Sequence, residues 1–180
     1  AMSQIGKRPA GAGAPVLRQK AKKIRTFGPQ VASLVDEMLE SMNAADGLGL
    51  AAPQIGVPQR VIVIQMPGET NAEGEETEPG ELYVYCNPEI VESTGEEEGP
   101  EGCLSVVGYV GQVKRATAVT VKGEDVKGRR IRTKATGLLA RAFQHEIDHL
   151  DGVLYIDRID RPEKLRRIGE NEDTEGDVVE

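Results

Sequence analysis

The segment Gln144-His145-Glu146-Ile147-Asp148-His149-Leu150-Asp151-Gly152 holds the chain's only two histidines, four positions apart, with a glutamate after the first. On an α-helix, residues i and i+4 lie one above the other on the same face. Two imidazoles so placed reach one metal ion, and a carboxylate beside the first reaches water bound to that ion. The pattern supplies two protein ligands, so the chain must provide a third from elsewhere.

Glu101-Gly102-Cys103-Leu104-Ser105 offers it, because Cys103 follows a glycine in a non-helical stretch. A thiolate is a strong ligand for Zn²⁺ or Fe²⁺. Three protein ligands leave one position for water, the mark of a catalytic rather than a structural site. A structural site needs a fourth ligand, and Cys86 lies in a strand-like run with no paired Cys or His nearby; it reads as a buried thiol. A bound metal lowers the pKa of its water to about 7. Glu146 then accepts the proton. The residues thus reach metal-assisted hydrolysis of a carbonyl compound. The opposing reading is a helix whose two histidines bind nothing.

Gly47-Leu48-Gly49-Leu50-Ala51-Ala52-Pro53-Gln54-Ile55-Gly56 is too rich in glycine for a helix and too small in its side chains to fill a core. Two readings stand together. It is a tight connection where backbones pass closely, or a strip whose backbone N–H and C=O groups stay open to a ligand, followed by the amide of Gln54.

The elements around these stretches follow from periodicity. Apolar residues from Val31 to Met42 at spacings of three and four predict a helix starting at Gly28-Pro29. Arg60–Gln65 reads as a β-branched strand. Leu82–Cys86 reads as a second, closed by Asn87-Pro88, after which Ile90 and Val91 resume extended structure. Residues 67–80 read as a solvated loop. The histidine helix is expected from about Lys134, stopped by Gly152, and a short helix from about Pro162. Strands in runs with helices near each end predict an α+β fold.

Composition narrows the class. The 180 residues predict one domain over 1–168, with an irregular lead-in at 1–13 and a disordered acidic tail at 169–180. A net charge of −8 and a pI near 5.0 argue against direct nucleic-acid readout. No apolar run reaches the roughly 20 residues of a membrane span, and no signal-peptide core is visible. Two cysteines make no disulfide framework, so the expected location is cytoplasmic. Lys and Arg precede the first acid, Asp36; an organellar transit peptide is the lesser reading, since the segment is poor in serine and lacks an amphipathic repeat.

Together, Gly47–Gln54, Glu101–Ser105 and Gln144–Gly152 closely resemble the three signature motifs of peptide deformylases, in the same order and at suitable spacings. Pro15-Val16-Leu17-Arg18 and Cys86-Asn87-Pro88-Glu89 resemble lesser family features, so the likeness covers roughly 13–165. The resemblance implies mostly antiparallel sheets wrapped around the central metal-binding helix. It also implies removal of the N-formyl group from the initiator methionine of nascent polypeptides, near the ribosome, in a bacterial-type cytoplasm. By motif match, Cys103, His145 and His149 hold one divalent ion, Fe²⁺ in vivo with Ni²⁺, Co²⁺ or Zn²⁺ as replacements. Glu146 moves the proton, and the Gln54 amide and the Leu104 backbone N–H stabilise the oxyanion. Gly49 and Gly102 match positions that pair with the peptide backbone. Leu48, Leu138, Arg141 and Ala142 match the pocket for the methionine side chain, Arg141 through its aliphatic stem. Glu101 is expected to anchor the Cys103 segment and Asp148 to pair with Arg115, the alternative for each being an ordinary surface charge. Val107 stands where many relatives have proline; this predicts a looser segment near the substrate and touches no ligand. Two other functions compete: a metal-dependent peptidase and a catalytically silent peptide-binding module.

Overall fold

The computed structural model describes residues 9–168. Gly28 enters in extended conformation and Pro29 takes the first helical turn, where its missing N–H costs nothing. Helix α1 (Pro29–Ala44) then buries Val31, Leu34, Val35, Met38 and Met42 along one stripe. Asp46, at φ 54°, turns the chain out of the helix. The glycine strip that follows is partly extended: β1 (Gly49–Ala51) leads into a 3-10 turn, Ala52–Ile55.

Strand β2 (Val61–Gln65) explains its run of aliphatic residues by burial on both faces. Val61 and Val63 pack into the cluster with α1, while Ile62 and Ile64 pack into the cluster with the histidine helix. Residues 67–80 form a small hairpin, β3 (Glu69–Thr70) with β4 (Glu76–Glu78), where the sequence suggested only a loop. Acidic side chains hid this pairing, which rests on backbone bonds and on the Asn71 side chain accepting from the N–H groups of Glu73 and Glu75.

Strand β5 (Leu82–Thr94) runs through Asn87-Pro88 rather than closing there. Asn87 adopts φ 52° at an irregularity in the pairing of β5, and its side chain bonds both backbone groups of Ile24. Next come β6 (Glu97–Cys103), β7 (Val106–Arg115), β8 (Ala118–Glu124) and β9 (Arg130–Thr136). The five-stranded antiparallel sheet has the order β1-β2-β5-β8-β9. At its outer edge, β9 exposes Arg130, Arg132 and Lys134, charges that discourage edge-to-edge pairing.

The histidine helix α2 (Gly137–Leu150) begins three residues later than the periodicity suggested, because β9 holds Lys134–Thr136 in the sheet. It ends in a Schellman closure: Val153 N–H donates to Asp148 O and Gly152 N–H to His149 O, with Gly152 at φ 77°. Phe143 is fully buried on α2, edge-to-face with Tyr83 and Tyr85 at 5.7 and 5.3 Å. One face of α2 thus lies on the five-stranded sheet. Its other side meets a second antiparallel sheet, β10-β7-β6, in which β10 is Leu165–Arg167. The expected α+β fold around a central helix is the one observed. The helix expected from Pro162 is a single 3-10 turn, Pro162–Lys164.

Over the residues described the lead-in carries no helix or strand, and backbone bonds hold it. Ala10 N–H donates to Gln54 O at 2.6 Å and Ala12 N–H to Ser105 O at 2.8 Å, lacing the first motif to the second. Residues 1–8 and the acidic tail at 169–180 lie outside the described residues.

Candidate metal centre and active site

Two elements converge to build the site. Cys103 ends β6, where the chain turns tightly into β7, and His145 and His149 sit one turn apart on α2. One donor atom from each lies within 4.8 Å of the others, with Cys103 Sγ 3.3 Å from His149 Nε2. All three side chains are buried. His145 Nε2 is buried with no hydrogen-bond partner among the described residues, a cost this fold tolerates only if something else bonds it. A thiolate and two imidazoles with an unpartnered nitrogen between them fit a divalent transition metal with room for one more ligand.

His145 and His149 are oriented differently. His145 Nδ1 lies 2.8 Å from Glu101 Oε1, which turns Nε2 inward. Burial opposes a charge on His145, but its Cys103 and Glu101 neighbours overcome this and raise its pKa. Burial and the nearby His145 hold His149 well below its ordinary value, in the neutral form that ligates metals. Metal binding at such a centre releases a proton.

Behind His145 stands a buried ion network. Glu101 accepts from Arg115 Nε and Nη2, both at 2.8 Å, and from Arg141 Nη1 at 2.6 Å. Burial raises the Glu101 pKa, yet Arg115 and His145 prevail and hold it at about 2. Arg115 also donates to Asp148 at 2.6 Å, and Asp148 in turn takes Arg158. Glu101 and Asp148 are therefore members of the network, not surface charges. Arg158 had no sequence signal, lying ten residues beyond its partner. Tyr155 was missed too: its buried ring stacks 6.1 Å from His145 and its hydroxyl donates to Tyr109 O.

The front of the site is bare. Glu146 is fully buried, and neither carboxylate oxygen has a protein partner among the described residues. Burial pushes its pKa up to about 7, His145 opposing and Glu101 adding. A Cβ on Gly49 would sit 2.5 Å from Glu146 Oε2, so the glycine first of all makes room for this carboxylate. Gln54 is buried and held by Ala51 N–H at its Oε1. That aims its Nε2 at Cys103 Sγ, 3.6 Å away, and at Ser105 Oγ, 3.1 Å away. Leu104 follows Cys103 in the turn, its side chain filling the space above Gly47. Leu48, Leu138 and Ala142 share one apolar cluster. Arg141 turns its guanidinium to Glu101 and the carbonyls of Val113 and Glu97, which leaves only its stem for the apolar side. A cleft of about 660 Å³ opens beside Gly102, Cys103 and Leu104. Val107 stands on its rim, 83% exposed, yet within the paired strand β7.

Comparison with known proteins agrees with this geometry. Residues 10–165 match the family model for polypeptide deformylase. The chain is 48% identical over 161 residues to the peptide deformylase of Thermomicrobium roseum, covering 89% of this chain and 90% of that one. It resembles the solved peptide deformylase of Legionella pneumophila with a TM-score of 0.77 and 42% identity, over 88% of each chain. The enzyme of Synechococcus elongatus, solved in complex with actinonin, gives 0.75 and 38%, over 87% of this chain and 80% of that one. Among the described residues no helix is long and apolar enough to cross a membrane. With its three motifs folded onto one buried Cys-His-His cluster, this chain belongs to the polypeptide deformylase family.

Proposed function

We propose that this protein is a metal-dependent amide hydrolase that removes the formyl group from N-formyl-methionyl peptides, yielding formate and a free amine. The observation that carries it is the pairing of the Cys103-His145-His149 cluster with a fully buried Glu146 that has no partner among the described residues. Cys103, His145 and His149 would hold a divalent ion, which would supply a Lewis acid and water of lowered pKa. Fe²⁺ is the ion proposed in vivo, with Ni²⁺, Co²⁺ or Zn²⁺ able to take its place in this donor set.

The chain's own residues do the rest. Glu146 accepts the proton of the attacking water and delivers it to the leaving nitrogen; burial pushes its pKa up to about 7, which suits it to both transfers at neutral pH. The Gln54 amide, oriented through Ala51 N–H, donates to the oxyanion together with the Leu104 backbone N–H. The backbones of Gly49 and Gly102 pair with the peptide like an added strand. Leu48, Leu138 and Ala142 receive the methionine side chain, with Arg141 contributing only its stem. The substrate pool is nascent chains near the ribosome, in a bacterial-type cytoplasm.

Protein prepared without oxygen and assayed for metal tests this. The expected result is one ion per chain and formate release from formyl-Met-Ala-Ser. Cleavage of unblocked peptides without formate would point instead to a peptidase. Tight binding of the formyl peptide without turnover would reduce the chain to a binding module.

A further inference from the structure

The three metal-binding side chains lie on two elements that share no backbone hydrogen bonds: β6 pairs only with β7, and the ends of α2 bond to Thr117 and Ala21. Their spacing is therefore set by side chains that cross between them. We propose that Arg141 is a positioning residue of the metal centre, clamping the β6–β7 hairpin that carries Cys103 to the helix that carries His145 and His149. This rests on the metal site of the proposed function.

Arg141 sits one turn before His145, on the same face of α2. Its Nη1 donates to Glu101 Oε2 at 2.6 Å and to Val113 O on β7 at 2.9 Å, while Nη2 donates to Glu97 O on β6 at 2.9 Å. One planar group thus holds both strands and the carboxylate that orients His145. Gly99 provides its seat: a Cβ there would lie 3.0 Å from Nη2 and 3.1 Å from Cζ. A fork of fixed geometry makes these bonds, and lysine, a single point charge, cannot reproduce the set.

Charge and geometry act in opposite directions here. Deleting the cation alone would favour a second cation at the metal site, whereas releasing the hairpin weakens it. Arg141→Lys keeps the charge and removes the fork; Gly99→Val keeps the arginine and unseats it. Each variant and the parent are loaded with Co²⁺ and challenged with EDTA, following visible absorption, and kcat and KM for a formyl-Met peptide are measured on the same samples. Both variants are expected to lose Co²⁺ about tenfold faster, with altered absorption and a fall in kcat rather than a rise in KM. Release at the parent's rate from both, or an effect confined to KM and to discrimination among side chains in the methionine pocket, overturns the proposal. A parent that holds no stoichiometric Co²⁺ would instead sink the metal-site reading itself.

Discussion

The two sides of the Cys-His-His cluster are built on opposite principles. Behind His145, Glu101 carries four bonds from three partners, and Arg115 joins it to Asp148 and so to Arg158. In front, Glu146 and His145 Nε2 are just as buried and have no protein partner among the described residues. Burial without bonds is costly, so the back must supply the rigidity that the front gives up. A fully satisfied side fixes where the donor atoms sit. The bare side leaves its polar atoms open to a ligand.

That contrast can be broken from either side. The largest effect should come from the front: Glu146→Ala is expected to lower formate release about a thousandfold while one metal ion per chain remains. A mutant with near-normal turnover would end the assignment of Glu146 as the proton carrier. From the back, Arg115→Met removes a cation that joins two buried carboxylates; denaturant unfolding should report about 3 kcal/mol of lost stability. A loss below roughly 1 kcal/mol, the range of surface pairs, would mean that the network is not what holds the site rigid. Gly49→Ala tests the front sterically. A methyl group 2.5 Å from Glu146 Oε2 must displace the carboxylate, so formate release should fall about ten- to a hundredfold with an unchanged unfolding transition. Unchanged turnover would show that the glycine serves only the peptide.

The smallest effect lies away from the site. Burial, with Glu124 and Asp125 adding, pushes the Cys86 thiol from 9.0 to about 11. The folded state therefore favours the protonated thiol, and its contribution is complete below pH 9 and lost as the pH rises towards 11. Cys86→Ser should flatten that part of the stability curve. An identical decline in the variant would assign it to other groups, such as Tyr83, whose bond to Glu81 raises it to about 12.

Much of the site was legible because its signals are local. The i, i+4 spacing of His145 and His149 needs only helical geometry, and Gly152 marks the end of that helix by chain chirality alone. The aliphatic run of β2 and the stripe on α1 likewise announced buried elements. What escaped the reading depends on partners distant in sequence. Asn87-Pro88 looked like a strand end, yet an irregular pairing with β8 and bonds to Ile24 carry the strand through it. Lys134–Thr136 looked helical but belong to β9, since pairing with β8 outweighs local propensity. Nothing local in the irregular lead-in signals that Ala10 and Ala12 tie it to two motifs.

Sequence by itself determined the candidate donors: two histidines at helical spacing, a glutamate beside them and a cysteine in a glycine-flanked turn limit the chemistry, because ligand types are properties of side chains. Tertiary structure alone decided what each surrounding charge is for. Arg141, expected to offer its aliphatic stem, spends its guanidinium on Glu101 and two carbonyls, and Gly49 yields its space to Glu146. Long side chains reach several neighbours from one backbone position, and only the packed fold selects among them.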